Sequence, residues 1–340
     1  MTMPAIPALP EPAYTLKPVR IGWRSRLLAW ALRRTLRPWL KRQLRAPVDS
    51  IVRMQRLTAS QRCGDSAGFS LAYRVLSEAP AATPGHVLGE VTDTGKPILL
   101  WLHGGAFVLP AAPNAQIAMV ARLARSLGAI AFLPDYRLAP QHRFPAALDD
   151  CENAYAALLA LGFSPRNIVL GGESAGGNLV LGLLQRIRRR GWANPSCAVT
   201  LSPVTELGRE FGLPSRLARR AQDALLCVDV MHHVVRHYVG AHDCADPEVS
   251  PLYADCNGFP PLYILASDAE ILRDDAVYLA QRARQAGVEV RLDVWPALPH
   301  GFPVFGSLFR EAALAEGDIV DFARQHLAGA ATLRQPAGVM

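Results

Sequence analysis

One stretch constrains this chain more than any other: Ile168-Val169-Leu170-Gly171-Gly172-Glu173-Ser174-Ala175-Gly176-Gly177-Asn178-Leu179. Apolar residues run into a glycine pair, then Ser174, then two more glycines and a helix-like sequence. Gly172 to Gly176 fits G-x-S-x-G, the sharp strand-to-helix turn that lifts a serine hydroxyl above a sheet. Ser174 then sits at strained backbone angles, and a side chain two residues before or after it would strike the neighbouring strand or helix. Glycine and serine are also ordinary turn residues, so the pentapeptide gains meaning only from its surroundings.

Those surroundings read as alternating strands and helices. Pro97 to His103 is a continuous apolar run ending in a glycine pair, as a buried parallel strand should be. Ala129 to Pro134, Asn167 to Gly171, Cys197 to Leu201, Pro261 to Ala266 and Val288 to Trp295 read the same way. Helical spacing fills Asn114 to Leu127, Phe144 to Leu161, Ala175 to Arg190, Asp274 to Gln285 and about Leu308 to Leu327. This rhythm predicts an α/β fold with a mostly parallel sheet covered on both faces. Shorter strand-like runs stand at Ile51–Gln55 and Phe69–Val75, and residues 78–96 read as a turn region. From Pro203 to about Asp246 the rhythm fails, and that stretch reads as a helical insertion above the strand ends.

Composition narrows the class. Half the residues are hydrophobic and 19% are charged, enough for a large buried core. The six cysteines (63, 151, 197, 227, 244 and 256) form no C-x-x-C pair, which argues against a zinc site or a disulfide framework and suggests reduced thiols in the cytoplasm. There is no run long enough to span a membrane, and residues 1–18, rich in proline and alanine, lack the apolar core of a signal peptide and read as a tail. The net charge of +7 is concentrated: ten Lys/Arg and no Asp or Glu lie between Pro12 and Val48. The remainder is therefore near −3, and nucleic-acid binding is not expected. From Ile21 to Leu44, tryptophans and leucines alternate with arginines at helical spacing, with a break expected near Pro38. A basic helix over Arg20–Arg45 could meet acidic lipid as a peripheral contact. The reading preferred from sequence is a helix packed on its own domain with arginines on the wet face.

A serine hydroxyl needs a base, and the base needs an orienting acid. His300, in the Pro/Gly loop after the last strand, stands where such a base would. The segment Ser267 to Asp275 offers four carboxylates, Asp268, Glu270, Asp274 and Asp275. The last two are sufficiently explained by pairing with a helix N-terminus. Gly104 and Gly105 follow a strand, and their N–H groups with that of Ala175 could hold an oxyanion.

Taken together, His103-Gly104-Gly105-Ala106-Phe107, Asp135-Tyr136-Arg137-Leu138-Ala139-Pro140, Phe144 to Asp150, Gly172 to Asn178, Ser250-Pro251-Leu252, Leu272-Arg273-Asp274 and His300-Gly301-Phe302 resemble the bacterial hormone-sensitive-lipase-like (family IV) carboxylesterases of the α/β-hydrolase superfamily. The match covers roughly residues 65–325. It implies an eight-stranded sheet with a helical cap: residues 1–47 as a basic cap segment, 48–203 and 204–246 as core and cap insertion, 247–328 as the second part of the core, and 329–340 as a tail. It implies a serine esterase acting on short- to medium-chain esters, a small-molecule substrate, no cofactor or metal, and often a homodimer. Ser174 would be the nucleophile, His300 the base, and Gly104, Gly105 and Ala175 the oxyanion hole. Aligning Leu272-Arg273-Asp274 with the family's acid motif puts Glu270 on the acid, thirty residues before His300, with Asp268 the alternative if the register shifts locally. Three departures stand out: Ala106 replaces a third glycine, Glu173 replaces the commoner aspartate, and the acid is a glutamate. A ligand-binding protein without catalysis, or an amide or carbamate hydrolase with the same triad, are the competing readings; retention of both Ser174 and His300 disfavours the first.

Overall fold

The structure, a computed structural model, describes residues 14–44, 48–59, 66–76, 82–208 and 212–327. The expected C-terminal tail, Arg45 and Cys63 lie outside the described residues. The strands are β1 (Leu71–Val75), β2 (Pro84–Leu88), β3 (Ile98–Leu102), β4 (Ile130–Pro134), β5 (Ile168–Glu173), β6 (Cys197–Leu201), β7 (Leu262–Ser267) and β8 (Val290–Trp295). The helices are α1 (Trp23–Arg34), α2 (Leu36–Leu44), α3 (Val48–Ala59), α4 (Ala118–Leu127), α5 (Ala146–Ala160), α6 (Ala175–Arg189), α7 (Pro214–Ala218), α8 (Asp229–Val234), α9 (Arg273–Gln285) and α10 (Arg310–His326).

All eight strands form one sheet in the order β1-β2-β4-β3-β5-β6-β7-β8. β2 runs antiparallel to both neighbours, and every other pairing is parallel. The near-continuous apolar strands follow from burial on both faces. In β3, Ile98, Leu100 and Leu102 join the core under α5, α6 and α9, while Leu99 and Trp101 join the core under α4 and α10. Successive side chains of a strand point to opposite faces, so the run needs no polar alternation. Because β3, β5, β6, β7 and β8 run in one direction, the loops that follow them open on one rim.

Three sequence expectations need correction, and one about a helix break holds. Ile51–Gln55 belongs to helix α3: Ile51 is buried, and the Gln55 amide donates to the Val108 carbonyl at 2.8 Å and the Ala139 carbonyl at 3.0 Å. Five residues of mixed pattern fit either period, and packing decided. The turn region at 78–96 contains β2, whose backbone pairs with β1 and β4; its proline is the first residue of the strand, where a missing N–H is tolerated. The expected break near Pro38 is present: α1 ends before Thr35, and Pro38, which cannot bond the carbonyl four residues back, sits within the first turn of α2. Residues 14–18 are no free tail: Leu16 bridges to Val294 alongside β8, and the Lys17 ammonium lies 3.0 Å from Asp293 and 2.7 Å from Asp318.

The 203–246 insertion carries α7 and α8. It is fastened to the core by Arg216, whose guanidinium lies 3.0 Å from the buried Asp275 carboxylate. Asp275 also accepts from the Thr205 N–H at 2.7 Å, and Asp274 from the Ser215 N–H at 2.7 Å. These two carboxylates, explained from sequence as helix N-terminal charges, hold the insertion.

Candidate active site

Ser174 stands between β5 and α6 at φ 56° and ψ −117°. Its N–H donates to the Leu201 carbonyl at 2.8 Å, which ties the turn to β6. The flanking glycines are obligatory: a Cβ on Gly176 would fall 1.8 Å from the Leu102 carbonyl oxygen, and one on Gly172 2.6 Å from that of Gly176. Such contacts cannot relax without moving backbone. Ala175 opens α6, so its N–H has no partner within the helix.

Across the rim, the loop after β8 carries His300 and the loop after β7 carries Glu270. The His300 Nδ1 and the Glu270 Oε2 lie 2.6 Å apart, both side chains buried. The other Glu270 oxygen accepts from the Ser267 N–H at 2.7 Å and the Ser202 hydroxyl at 2.9 Å. Ser202 Oγ in turn accepts from the Gly301 N–H at 3.2 Å, so a residue after β6 braces both the acid and the histidine loop. Burial pushes the His300 imidazolium toward losing its proton. The hydrogen bond and charge of Glu270, with Asp223 and Glu173 behind, outweigh that and raise its pKa above the ordinary 6.5.

The loop after β3 completes the rim. Gly105 has φ 126°, Ala106 φ 54° and Phe107 φ 62°, a run of positive φ angles that turns the backbone sharply. The Gly104 N–H donates to Glu173 Oε1, and the Trp101 indole N–H donates to Glu173 Oε2 at 2.6 Å. Burial raises the Glu173 pKa to about 7 against the pull of these donors. His103 fixes the loop from behind: its ring stacks on Tyr136 at 4.1 Å, its Nδ1 lies 2.8 Å from the Gly104 carbonyl, and burial lowers its pKa to about 4.

Gly104, Gly105, Ala106, Ser174 and His300 line one cleft. Its walls are apolar: Leu225, Leu226, Val230 and Met231 come from the insertion, Leu40 from α2 and Met54 from α3. Among the described residues no group of three or more His, Cys, Asp or Glu side chains could hold a metal ion.

A family model described as the alpha/beta hydrolase fold matches residues 99–304, more than half of the chain and the span that holds every loop of this rim. The chain belongs to the alpha/beta hydrolase fold family. Within the family it stands with the bacterial hormone-sensitive-lipase-like carboxylesterases. It is 34% identical over 227 residues to an esterase of Acinetobacter venetianus, covering 66% of this chain and 74% of that one. It is 34% identical over 242 residues to esterase LipU of Mycobacterium tuberculosis, covering 68% and 79%. A crystal structure of an esterase from the bacterial hormone-sensitive lipase family superposes with a TM-score of 0.76 at 28% identity, over 91% of this chain and 100% of that one.

Set in this hydrolase fold, the residues singled out from sequence separate into two groups. Ser174, His300 and Gly105 meet at the cleft, and Glu270 supports His300. Asp268 faces elsewhere: its Oδ1 accepts from the Tyr14 hydroxyl at 2.7 Å and the Arg219 guanidinium at 3.0 Å. Gly104 also departs from expectation. It lines the cleft, but its N–H is taken by Glu173, so it is not free for an oxyanion. Gly105, Ala106 and Ala175 have no acceptor for their N–H groups among the described hydrogen bonds. A reading that counts glycines passes over the Ala106 N–H, although any residue's N–H is available where the backbone turns. Such a reading also passes over Ser202 and Asp223. The buried Asp223 accepts the Ile271 N–H at 2.8 Å, and no motif marks it.

Proposed function

We propose that this chain is a serine carboxylesterase, with Ser174, His300 and Glu270 as its working groups. The single observation that carries the reading is the imidazole of His300, bonded at Nδ1 to Glu270 and lining the same cleft as Ser174. With Nδ1–H held by the carboxylate, Nε2 is the free base. The Ser174 hydroxyl adds to the ester carbonyl as Nε2 takes its proton. The resulting oxyanion is held by the N–H groups of Gly105, Ala106 and Ala175. Collapse expels the alkoxide, which leaves as the alcohol with the proton from His300. Water, deprotonated by the same ring, then attacks the acyl-enzyme; carboxylic acid leaves and Ser174 regains its proton.

The substrate is a small-molecule ester. The apolar walls favour an acyl chain of short to medium length, with residues 14–44 and the 203–246 insertion acting together as a cap: α2 packs on α8, and Lys41 lies 3.1 Å from Asp229. The relatives named esterase support the same reading.

Ser174→Ala is expected to abolish hydrolysis of p-nitrophenyl butyrate and covalent labelling by a fluorophosphonate. Activity that survives in that variant refutes the assignment. A panel of p-nitrophenyl esters from acetyl to palmitoyl should peak at the shorter members.

A further inference from the structure

Helix α1 is attached to the domain along the edge that carries Ser25, and the Arg33 guanidinium reaches the Ala221 carbonyl of the insertion at 3.3 Å. Ser25 is its one buried residue, and the Ser25 hydroxyl donates to Glu311 at 2.6 Å. Leu28 and Leu32 pack partly against the core under α10. The sequence favoured a helix packed on its own domain with arginines on the wet face; α1 does pack on the domain, but its opposite edge exposes large apolar residues as well. Trp23 is 70% exposed, Leu27 54% and Trp30 48%. Their spacing of four and three residues sets them in one row along the helix. The apolar row therefore faces outward, where a packed helix would show only polar groups.

Arginines flank this row. The Arg24 guanidinium lies 5.4 Å from the Trp23 ring centre, and that of Arg34 5.4 Å from the Trp30 ring centre. Arg26 and Arg33 line a cavity beside Trp30, together with Arg219. Neither α1 nor α2 contains an acidic residue. Exposed tryptophan and leucine beside arginine is the composition of a helix that lies in a membrane interface: rings settle among headgroups while guanidinium groups meet phosphate.

We infer that the outward face of α1 docks on an acidic lipid surface. Charge complementarity selects this occupant. A second copy presenting the same face across a two-fold axis would set arginine against arginine. A neutral surface would offer no counter-charge to Arg24, Arg26 and Arg34, which flank the row; Lys17 and Lys41 of the same segment already pair with carboxylates of this chain. Docking would also have a consequence for access, because α2 continues from α1 and contributes Leu40 and Gln43 to the reaction cleft. No described helix is long and apolar enough to cross a membrane, so the contact is one of surface attachment.

The test is co-sedimentation of the full chain with vesicles of phosphatidylcholine alone or with phosphatidylglycerol added. Binding is expected only with phosphatidylglycerol, and it should be lost in about 1 M salt, where screening acts within about 3 Å. A Trp23→Ser/Leu27→Ser/Trp30→Ser variant and, separately, an Arg24→Glu/Arg34→Glu variant should each bind at least about tenfold more weakly. Both should melt within a few degrees of the parent Tm, which shows that they fold. Equal binding to both vesicle types, or unchanged binding by either variant, overturns the inference. So does a parent dimer on a sizing column that the triple variant converts to monomer, since the face would then be occupied by a second copy.

Discussion

The Gly104 N–H donates to the carboxylate of Glu173, the residue just before Ser174. One buried side chain thus ties the loop after β3 to the turn after β5, and the Trp101 indole holds its second oxygen. The distance between the nucleophile and the proposed oxyanion donors depends on that tie.

Glu173→Gln keeps the size but offers one acceptor where two are needed. Its amide would face either Trp101 or Gly104, donor against donor. The expected result is a fall in kcat of about ten- to a hundredfold with little change in KM, because the misplaced donors act mainly on the transition state. Steady-state kinetics on p-nitrophenyl butyrate check this, and an unchanged kcat would show the tie to be irrelevant to turnover.

The same carboxyl predicts a pH effect on stability. Its pKa is raised from 4.5 to about 7 by burial, so the native state holds this proton more tightly than the unfolded chain. The stabilisation is fully present below pH 4.5 and is lost as pH rises through about 7. Glu173→Gln lacks this proton. The gap in Tm between parent and variant should therefore narrow across that window, as read by thermal melts at several pH values.

The choice of acid is open to direct comparison. Glu270→Gln should lower kcat by about a thousand- to ten-thousandfold, as when a triad carboxylate is replaced by an amide. Asp268→Asn should leave kcat near the parent value and cost at most about 1 kcal/mol, since its partly exposed ion pairs with Arg219 and Arg273 are screened by solvent. The reverse ranking would move the acid to Asp268.

Catalysis needs neutral His300, so kcat/KM should rise with pH through the raised histidine pKa, with a midpoint above 6.5. Asp223 contributes to that shift through its charge. Asp223→Asn should move the acid limb to lower pH, and a limb that stays in place would remove Asp223 from the account.

Arg216→Met removes the partner of a buried carboxylate. Asp275, in the first turn of α9, is left uncompensated against the insertion, at an expected cost of about 3–5 kcal/mol. The urea midpoint measures this, and a shift worth under about 1 kcal/mol would mean that Asp275 is satisfied by Thr205 and Glu206 alone.

Several features were legible because their signal is local. The alternation of apolar runs with helical spacing gave the sheet, and the glycines around Ser174 gave the turn, since close approach at Gly172 and Gly176 admits no side chain. His300 stood out by its place in a Pro/Gly loop after a strand. Other features lacked such a signal. Ile51–Gln55 is too short for its period to separate helix from strand, and β2 owes its existence to backbone partners far along the chain.

By itself, then, the sequence determined that a serine, a histidine and a glycine-rich loop would follow strands of one parallel sheet. Backbone sterics and burial act over a few residues and leave a readable pattern. Only the tertiary structure decided which carboxylate reaches His300, which N–H groups remain free beside Ser174, and which way α1 turns its tryptophans. Those outcomes are competitions between partners distant in sequence: Glu173 takes Gly104, Arg219 and Tyr14 take Asp268, and Glu311 takes the edge of α1 at Ser25. A shift of one residue, or a helix rotated by half a turn, would have given each of these groups a different neighbour.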